Sequence, residues 1–263
     1  MMALGESIRI KSRREIETMR VAGSHVAEIL LELRDLAKPG VTTLELDAHA
    51  RRCIRKRGIE SSFLGYGPHG LPPYPAVVCV SVNDEVVHGI PGGRELVEGD
   101  VLSVDFGISY EGYHGDSAFT IPIGSARPEA IQLIEATRDA LERGIEMMVP
   151  GKRLSDIGHA VQVRVESEGF AVVRQFVGHG IGREMHEPPQ IPNYGPAGRG
   201  PRLKPGMVFA IEPMVTAGGH EVRILDDEWT AVTADGSLAA HFEHTILVTE
   251  GRPEVLTRIP GSH

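Results

Sequence analysis

Two aspartates eleven residues apart, Asp105 and Asp116, are the first side chains in this 263-residue chain whose type and spacing could do chemistry. They lie in VLSVDFGISYEGYHGDSAFT, residues 101–120. There Val101, Leu102, Val104 and Phe106 form an apolar strand-forming run that Ser103 and Asp105 interrupt. An unpaired charge buried in such a run costs several kcal/mol or neutralises by shifting its pKa. Gly107, Gly112 and Gly115 read as turn residues, which puts Asp116 on the return strand of a hairpin. Two acids facing each other across a hairpin repel unless a cation lies between them. Taken alone, the stretch also fits a capping Asp and an unrelated turn Asp.

A second pair of acids follows the same order. Leu96-x-x-Gly99 leads in six residues from Gly to Asp105, and Leu203-x-x-Gly206 leads in six from Gly to Glu212. Glu243, in HFEHTILV (residues 241–248), stands on the expected return strand. Upstream, Pro39-Gly40 precedes Gly58 as Pro150-Gly151 precedes Gly169, with nineteen residues from Pro to Gly both times. Agreement at three levels in one order predicts a duplication inside a single domain over 1–263, with halves of about 12–127 and 128–256. Four carboxylates meeting between the halves cannot all stay ionised without cations, so a multinuclear divalent metal site is expected.

Of the twelve histidines, His179 stands out in VGHGIG (residues 177–182), after a strand and between glycines that allow close approach of backbone or substrate. With four acids converging it is the expected fifth ligand. One imidazole among carboxylates suits Mn, Fe(II), Co or Zn better than a structural thiolate zinc site. His88, in VHGIP, and His186, in MHEPP, each end a strand or loop beside Gly or Pro. Their expected use is to hydrogen-bond a reacting carbonyl or carry a proton, the alternative being loop histidines satisfied by backbone. His114, His220, His241 and His244 are read as structural or supporting. No G-x-x-x-x-G-K-[ST], G-x-S-x-G or H-E-x-x-H is present, and no glycine cluster has the full dinucleotide spacing.

The elements that must position these residues alternate helix pairs with strands. Helices are predicted over 12–36, where Ser12 and Glu15 have capping-box form, and over 44–57, capped by Thr43 and ended by Gly58. A loop over 61–75 precedes strands at 76–82 and 85–88. After Pro128 the pattern restarts, with helices at 129–148 and 155–168 and a strand at 170–177.

A net charge of −9 argues against a binder that works by neutralising phosphates, so no specific nucleic acid is expected. Cys53 and Cys79 make no disulfide framework or C-x-x-C site. The N-terminal stretch lacks an apolar leader, and no run has membrane length, so a soluble, cytoplasmic protein without membrane partners is expected.

VDFG…GDSAFT, FVGHGIGREMHEPP, MVFAIEPM and HFEHTILV together resemble the methionine aminopeptidases of the short bacterial type, over essentially residues 8–256. The resemblance implies an α/β (α+β) "pita-bread" fold with two pseudo-twofold-related halves and antiparallel sheet flanked by helices. It implies two divalent metal ions (Co, Mn, Fe or Zn) held by Asp105, Asp116, His179, Glu212 and Glu243, with Asp116 and Glu243 bridging. Glu212 would also assist proton transfer, while His186 stabilises an oxyanion and His88 contacts the scissile amide. The methionine pocket falls on Cys79, Tyr66, Tyr74, Met185 and Trp229. The implied activity is removal of the N-terminal methionine from newly made proteins and peptides, with a small second residue preferred. The implied partners are nascent N-termini and, transiently, the ribosome surface, for a monomer. The loop 67–74, GPHGLPPY, is several residues longer than in the shortest members, and Met185 stands where an aromatic often sits. The Cys/His-rich N-terminal module and the large insertion of other types are not expected. Two alternatives share the fold: an Xaa-Pro aminopeptidase and a catalytically silent binding module.

Overall fold

The structure, a computed structural model, describes residues 8–258. Residues 1–7, the start of the N-terminal stretch expected to lack an apolar leader, and residues 259–263 of the domain span lie outside the described residues. Helix α1 (Arg13–Leu36) begins at the expected capping box, with Ser12 and Glu15 satisfying each other's backbone N–H, and buries Met19, Val26, Ile29 and Leu33. Helix α2 (Thr43–Arg57) ends at Gly58 with φ 64°. Its cap is Thr42 rather than Thr43, because Thr42 and Glu45 form the reciprocal pair while the Thr43 hydroxyl bonds Gly92.

Strand β1 (Glu60–Ser61) occupies the start of the expected loop, and β2 (Cys79–Val82) is shorter than the expected 76–82. β3 (Glu85–Val87) leads to the long hairpin of β4 (Val101–Tyr110) and β5 (Tyr113–Pro122). The hairpin turns on Glu111 and Gly112, both at positive φ, in the manner of a tight primed turn. Gly107 and Gly115, expected at turns, lie inside the strands. They are there for close approach: a Cβ on Gly107 would meet the Asp116 carboxylate at 3.0 Å, and one on Gly115 would meet Gly23 of α1 at 3.1 Å.

Helices α3 (Pro128–Glu146) and α4 (Leu154–Ser167) follow, and then β6 (Ala171–Val172). The predicted strand at 170–177 is cut short because its pairing with β10 covers only Ala171 and Val172, with one further backbone bond from Val173 N–H to Met214 C=O at 3.0 Å. β7 (Gly178–Gly180), β8 (Glu187–Ile191), β9 (Val208–Ile211) and β10 (Met214–Thr216) come next. An excursion of β11 (Val222–Ile224) and β12 (Ala231–Thr233) precedes β13 (Ala239–His241), β14 (His244–Leu247) and β15 (Glu254–Val255).

The strand pairs are antiparallel, and the two hairpins meet along a seam between β5 and β13–β14. Ala118 and Glu243 exchange both backbone bonds there, at 3.2 and 3.0 Å. On either side a threonine hydroxyl replaces the backbone pair. Thr245 accepts from Asp116 N–H (3.0 Å) and donates to Asp116 C=O (2.8 Å). Thr120 accepts from His241 N–H (2.9 Å) and donates to His241 C=O (2.6 Å). The two bridges are mates about the Ala118–Glu243 pair, so the seam has a local twofold character. The excursion folds back to pair β12 with β3, Ala231 against Val87, which brings residues 224–229 over the end of β3.

Thr245→Val keeps the side-chain shape but leaves the buried Asp116 N–H and C=O without partners. It should cost about 1–3 kcal/mol in urea denaturation; a change below about 0.5 kcal/mol would show that the hydroxyl bridge does not hold the seam.

Candidate metal centre and adjoining pocket

The four acids reach one place because of strand register. Asp105 lies opposite Ala118 on β4–β5 and Asp116 opposite Gly107, so the two aspartates are diagonal neighbours on one sheet face. In the second hairpin Ile211 pairs with His244 and Met214 with His241. That single register sets Glu212 opposite Glu243, each in the two-residue break between two strands. Glu243 is therefore not on the return strand itself but between β13 and β14, at the seam. By the seam's local twofold Glu212 matches Asp105, whereas Asp116 matches His241 and Glu243 matches Ala118.

His179 is delivered by β7, opposite Ala210 of β9, with a bulge at Gly180. Its Nδ1–H donates to Gly180 C=O at 2.9 Å, which leaves the Nε2 lone pair free, 3.4 Å from Glu212 Oε1. Burial holds its pKa down at about 3, with the neighbouring His186 adding to the effect, so the ring is neutral and a competent ligand.

Asp105, Asp116, His179, Glu212 and Glu243 all line one cavity of about 540 Å³. Asp105 Oδ1, Asp116 Oδ1 and Glu243 Oε1 are buried and have no hydrogen-bond partner among the described residues. Burial, then mutual repulsion, raises Asp105, Glu212 and Glu243 well above the usual carboxylate range, and burial lifts Asp116 to about 7. Asp116, His179 and Glu243 each offer a donor atom within 4.8 Å of the others. Hard oxygen donors without partners, beside a neutral imidazole nitrogen, fit a divalent cation.

The other expected residues line the same cavity. His88 has φ 62° at the end of β3 and packs edge-on between Phe176 and Trp229, with ring centroids 5.3 and 6.0 Å away. Its pKa is held down at about 4 by burial. His186 lies 4.2 Å from the His179 ring, and the Tyr66 hydroxyl is 2.7 Å from its Nδ1. Burial lowers His186 to about 4 and raises Tyr66, so both are neutral at pH 7. Cys79, Tyr66, Tyr74, Met185 and Trp229 form the apolar wall together with Phe63. Backbone bonds Tyr74 N–H to Tyr66 C=O (2.7 Å) and Gly65 N–H to Tyr74 C=O (2.9 Å) close the loop between the tyrosines into a stem. Both rings therefore stay at the cavity, and Pro72 C=O accepts from the Trp229 indole at 3.0 Å.

Several contributors were not singled out from the sequence. Phe63, Phe176 and Ile224 line the cavity, and nothing in their local pattern marks them. Asn193 donates to Glu212 C=O at 3.0 Å. Lys11 and Glu187 form a buried ion pair at 2.7 Å, and Glu187 also accepts from Arg183 N–H, which fixes the turn carrying Met185 and His186. His241, read as structural, has its Nε2 buried without a partner 3.9 Å from Glu243. His114 and His244 do serve structure, bonding Ser62 (2.7 Å), and Ser117 and Thr257 (3.1 and 2.9 Å). His220 is at the surface beside Glu221.

The model of metallopeptidase family M24 matches residues 17–250. Methionine aminopeptidase 1 of Bacillus subtilis is 52% identical over 249 residues, covering 95% of this chain and 98% of the relative. The crystal structure of methionine aminopeptidase from Thermotoga maritima superposes with a TM-score of 0.92 at 47% identity, covering 96% of this chain and all of the other (100%). Prolidase from Pyrococcus furiosus shares the fold alone, with a TM-score of 0.77 at 22% identity over 95% of this chain and 65% of that one. The fold is the pita-bread fold of mixed helices and antiparallel sheet.

The raised carboxylates set a pH signature. Their folded pKa values exceed the unfolded ones, so in metal-free protein their contribution is complete below about pH 4 and lost as pH rises through the folded values, about 7 for Asp116. The Tm of chelator-treated protein should fall between about pH 5 and pH 8 relative to protein with added Mn(II), the gap widening as pH rises. A gap that is constant with pH would contradict this.

Proposed function

We propose that this chain, which belongs to metallopeptidase family M24 and within it to the methionine aminopeptidases, removes the N-terminal methionine from newly made proteins and peptides by hydrolysis of the first peptide bond. The observation that carries the proposal is one cavity with two unlike walls: the buried Asp116 and Glu243, the half-buried Asp105 and Glu212, and His179 on one side, and an aromatic and sulfur-bearing surface on the other.

Asp105, Asp116, His179, Glu212 and Glu243 would hold two divalent ions, of Co, Mn, Fe or Zn. Bound there, such ions supply Lewis-acid polarisation of the scissile carbonyl and an acidified water nucleophile. The chain's own groups do the rest. Glu212, whose carboxyl is raised by burial, would take and return a proton. With the Tyr66 hydroxyl donating to His186 Nδ1, the proton of the neutral ring sits on Nε2, a donor for charge developing on the carbonyl oxygen. His88, fixed between Phe176 and Trp229, would contact the scissile amide. Cys79, Tyr66, Tyr74, Met185 and Trp229 would receive the methionine side chain, since a thioether packs well against aromatic edges and sulfur.

The preference for a small second residue is carried by the resemblance alone. The partners proposed are nascent N-termini, with transient contact at the ribosome surface, for a cytoplasmic monomer. Among the described residues no helix is long and apolar enough to cross a membrane. The unit proposed is a single catalytic domain with duplicated halves of about 12–127 and 128–256.

Purified protein with added divalent metal should release Met from Met-Ala-Ser and leave Ala-Pro peptides intact. Cleavage of the Ala-Pro peptides alone would instead assign an Xaa-Pro exopeptidase, and no release from either would leave a binding module. His179→Ala should lose bound metal and activity together. His186→Ala should keep its metal while kcat falls about 100-fold or more; full activity in either variant would refute the role given.

A further inference from the structure

A second cluster of ligating side chains lies outside the cavity, where α1 packs on α2. Glu32 comes from α1, and His49 and Cys53 come from α2, one helical turn apart. Glu32 Oε2 is 2.8 Å from His49 Nε2 and 3.2 Å from Cys53 Sγ, and one donor atom from each residue lies within 4.8 Å of the other two. Two side chains thus converge on a single carboxylate oxygen, around a common point. Arg57 donates to the other oxygen, Glu32 Oε1, at 2.8 Å and so holds the carboxylate in this orientation. Cys53 is only 5% exposed, whereas the His49 and Glu32 side chains are 25% and 41% exposed, which gives an ion a path in from solvent.

We propose that Glu32, His49 and Cys53 form a further metal site, separate from the cavity, for a single divalent ion of the zinc class. A thiolate, an imidazole and a carboxylate make a softer donor set than the oxygen-rich cavity, and they favour Zn(II) or Co(II) over Mn(II) or Mg(II). Three protein ligands leave one position of a tetrahedron to water. On binding, the thiol proton of Cys53 passes to solvent and the S–H bond is replaced by a sulfur–metal bond. His49 binds through Nε2 with its own proton on Nδ1, and the exposed Arg52 side chain, 3.4 Å from Nδ1, turns away. No oxidation state changes. The ion would tie α1 to α2 directly.

Co(II) alone is the probe, because a thiolate ligand gives a near-ultraviolet sulfur-to-cobalt charge-transfer band that oxygen and imidazole ligands do not. Titration of metal-free protein should develop this band. Cys53→Ser should abolish it and remove one bound Co(II) per chain, and Cys79→Ser, which alters the other cysteine, should keep it. His49→Ala, at a more exposed position, should weaken Co(II) binding at least 10-fold and keeps the test decisive if Cys53→Ser fails to fold. Far-ultraviolet circular dichroism and retained aminopeptidase activity serve as fold controls for both Cys53→Ser and His49→Ala. Absence of the band in the unaltered protein, its survival in Cys53→Ser, or its loss in Cys79→Ser alone would overturn the proposal.

Discussion

Four carboxylates brought together in one cavity, Asp116 and Glu243 buried and Asp105 and Glu212 half-buried, are the constraint on which the rest of this structure depends. Three of their oxygens have no hydrogen-bond partner among the described residues, and burial with mutual repulsion holds the group well above ordinary carboxylate pKa values. A chain gains nothing in stability from such an arrangement by itself, since each buried charge carries a desolvation cost of several kcal/mol. The arrangement makes sense as a site kept ready for cations, with the surrounding sheet bearing the strain of holding it.

The sheet does this by joining two hairpins along a seam that backbone pairing alone does not close. Only Ala118 and Glu243 pair directly, while Thr120 and Thr245 hydroxyls complete the junction on either side. Glu243 is thus fixed by its own backbone at the point where the hairpins touch. The same seam explains why the second hairpin is interrupted at Glu212 and Glu243: the strands on either side of each acid pair with different neighbours. The β11–β12 excursion uses the pairing of β12 with β3 to carry Trp229 against His88. The apolar wall and the charged wall are therefore consequences of one sheet.

Much of this was legible in the sequence, for identifiable reasons. Asp105 and Glu212 share a six-residue spacing from a glycine, and in the structure they occupy matching register positions. The second acids could not be matched by counting, because the excursion of residues 217–238 separates Glu212 from Glu243 and because Asp116 and Glu243 sit two residues out of step about the seam. The capping box of α1 is purely local and read correctly. Thr42 and Thr43 compete for one cap, and only the tertiary bond of Thr43 to Gly92 decides between them. Gly107 and Gly115 were misread as turns because close approach between distant segments leaves no local pattern. Lys11 was missed for the same reason, reaching Glu187 from far along the chain, whereas Phe63 and Phe176 stand three residues before Tyr66 and His179 and carry no local pattern that separates a cavity-lining aromatic from a core one.

The central claim is that the five converging side chains form the metal centre. Anomalous X-ray scattering from a crystal grown with Mn(II) tests it most directly. Two strong peaks among Asp105, Asp116, His179, Glu212 and Glu243 are the predicted result. An ordered cavity with no anomalous peak between those residues, while manganese is bound elsewhere, would contradict it.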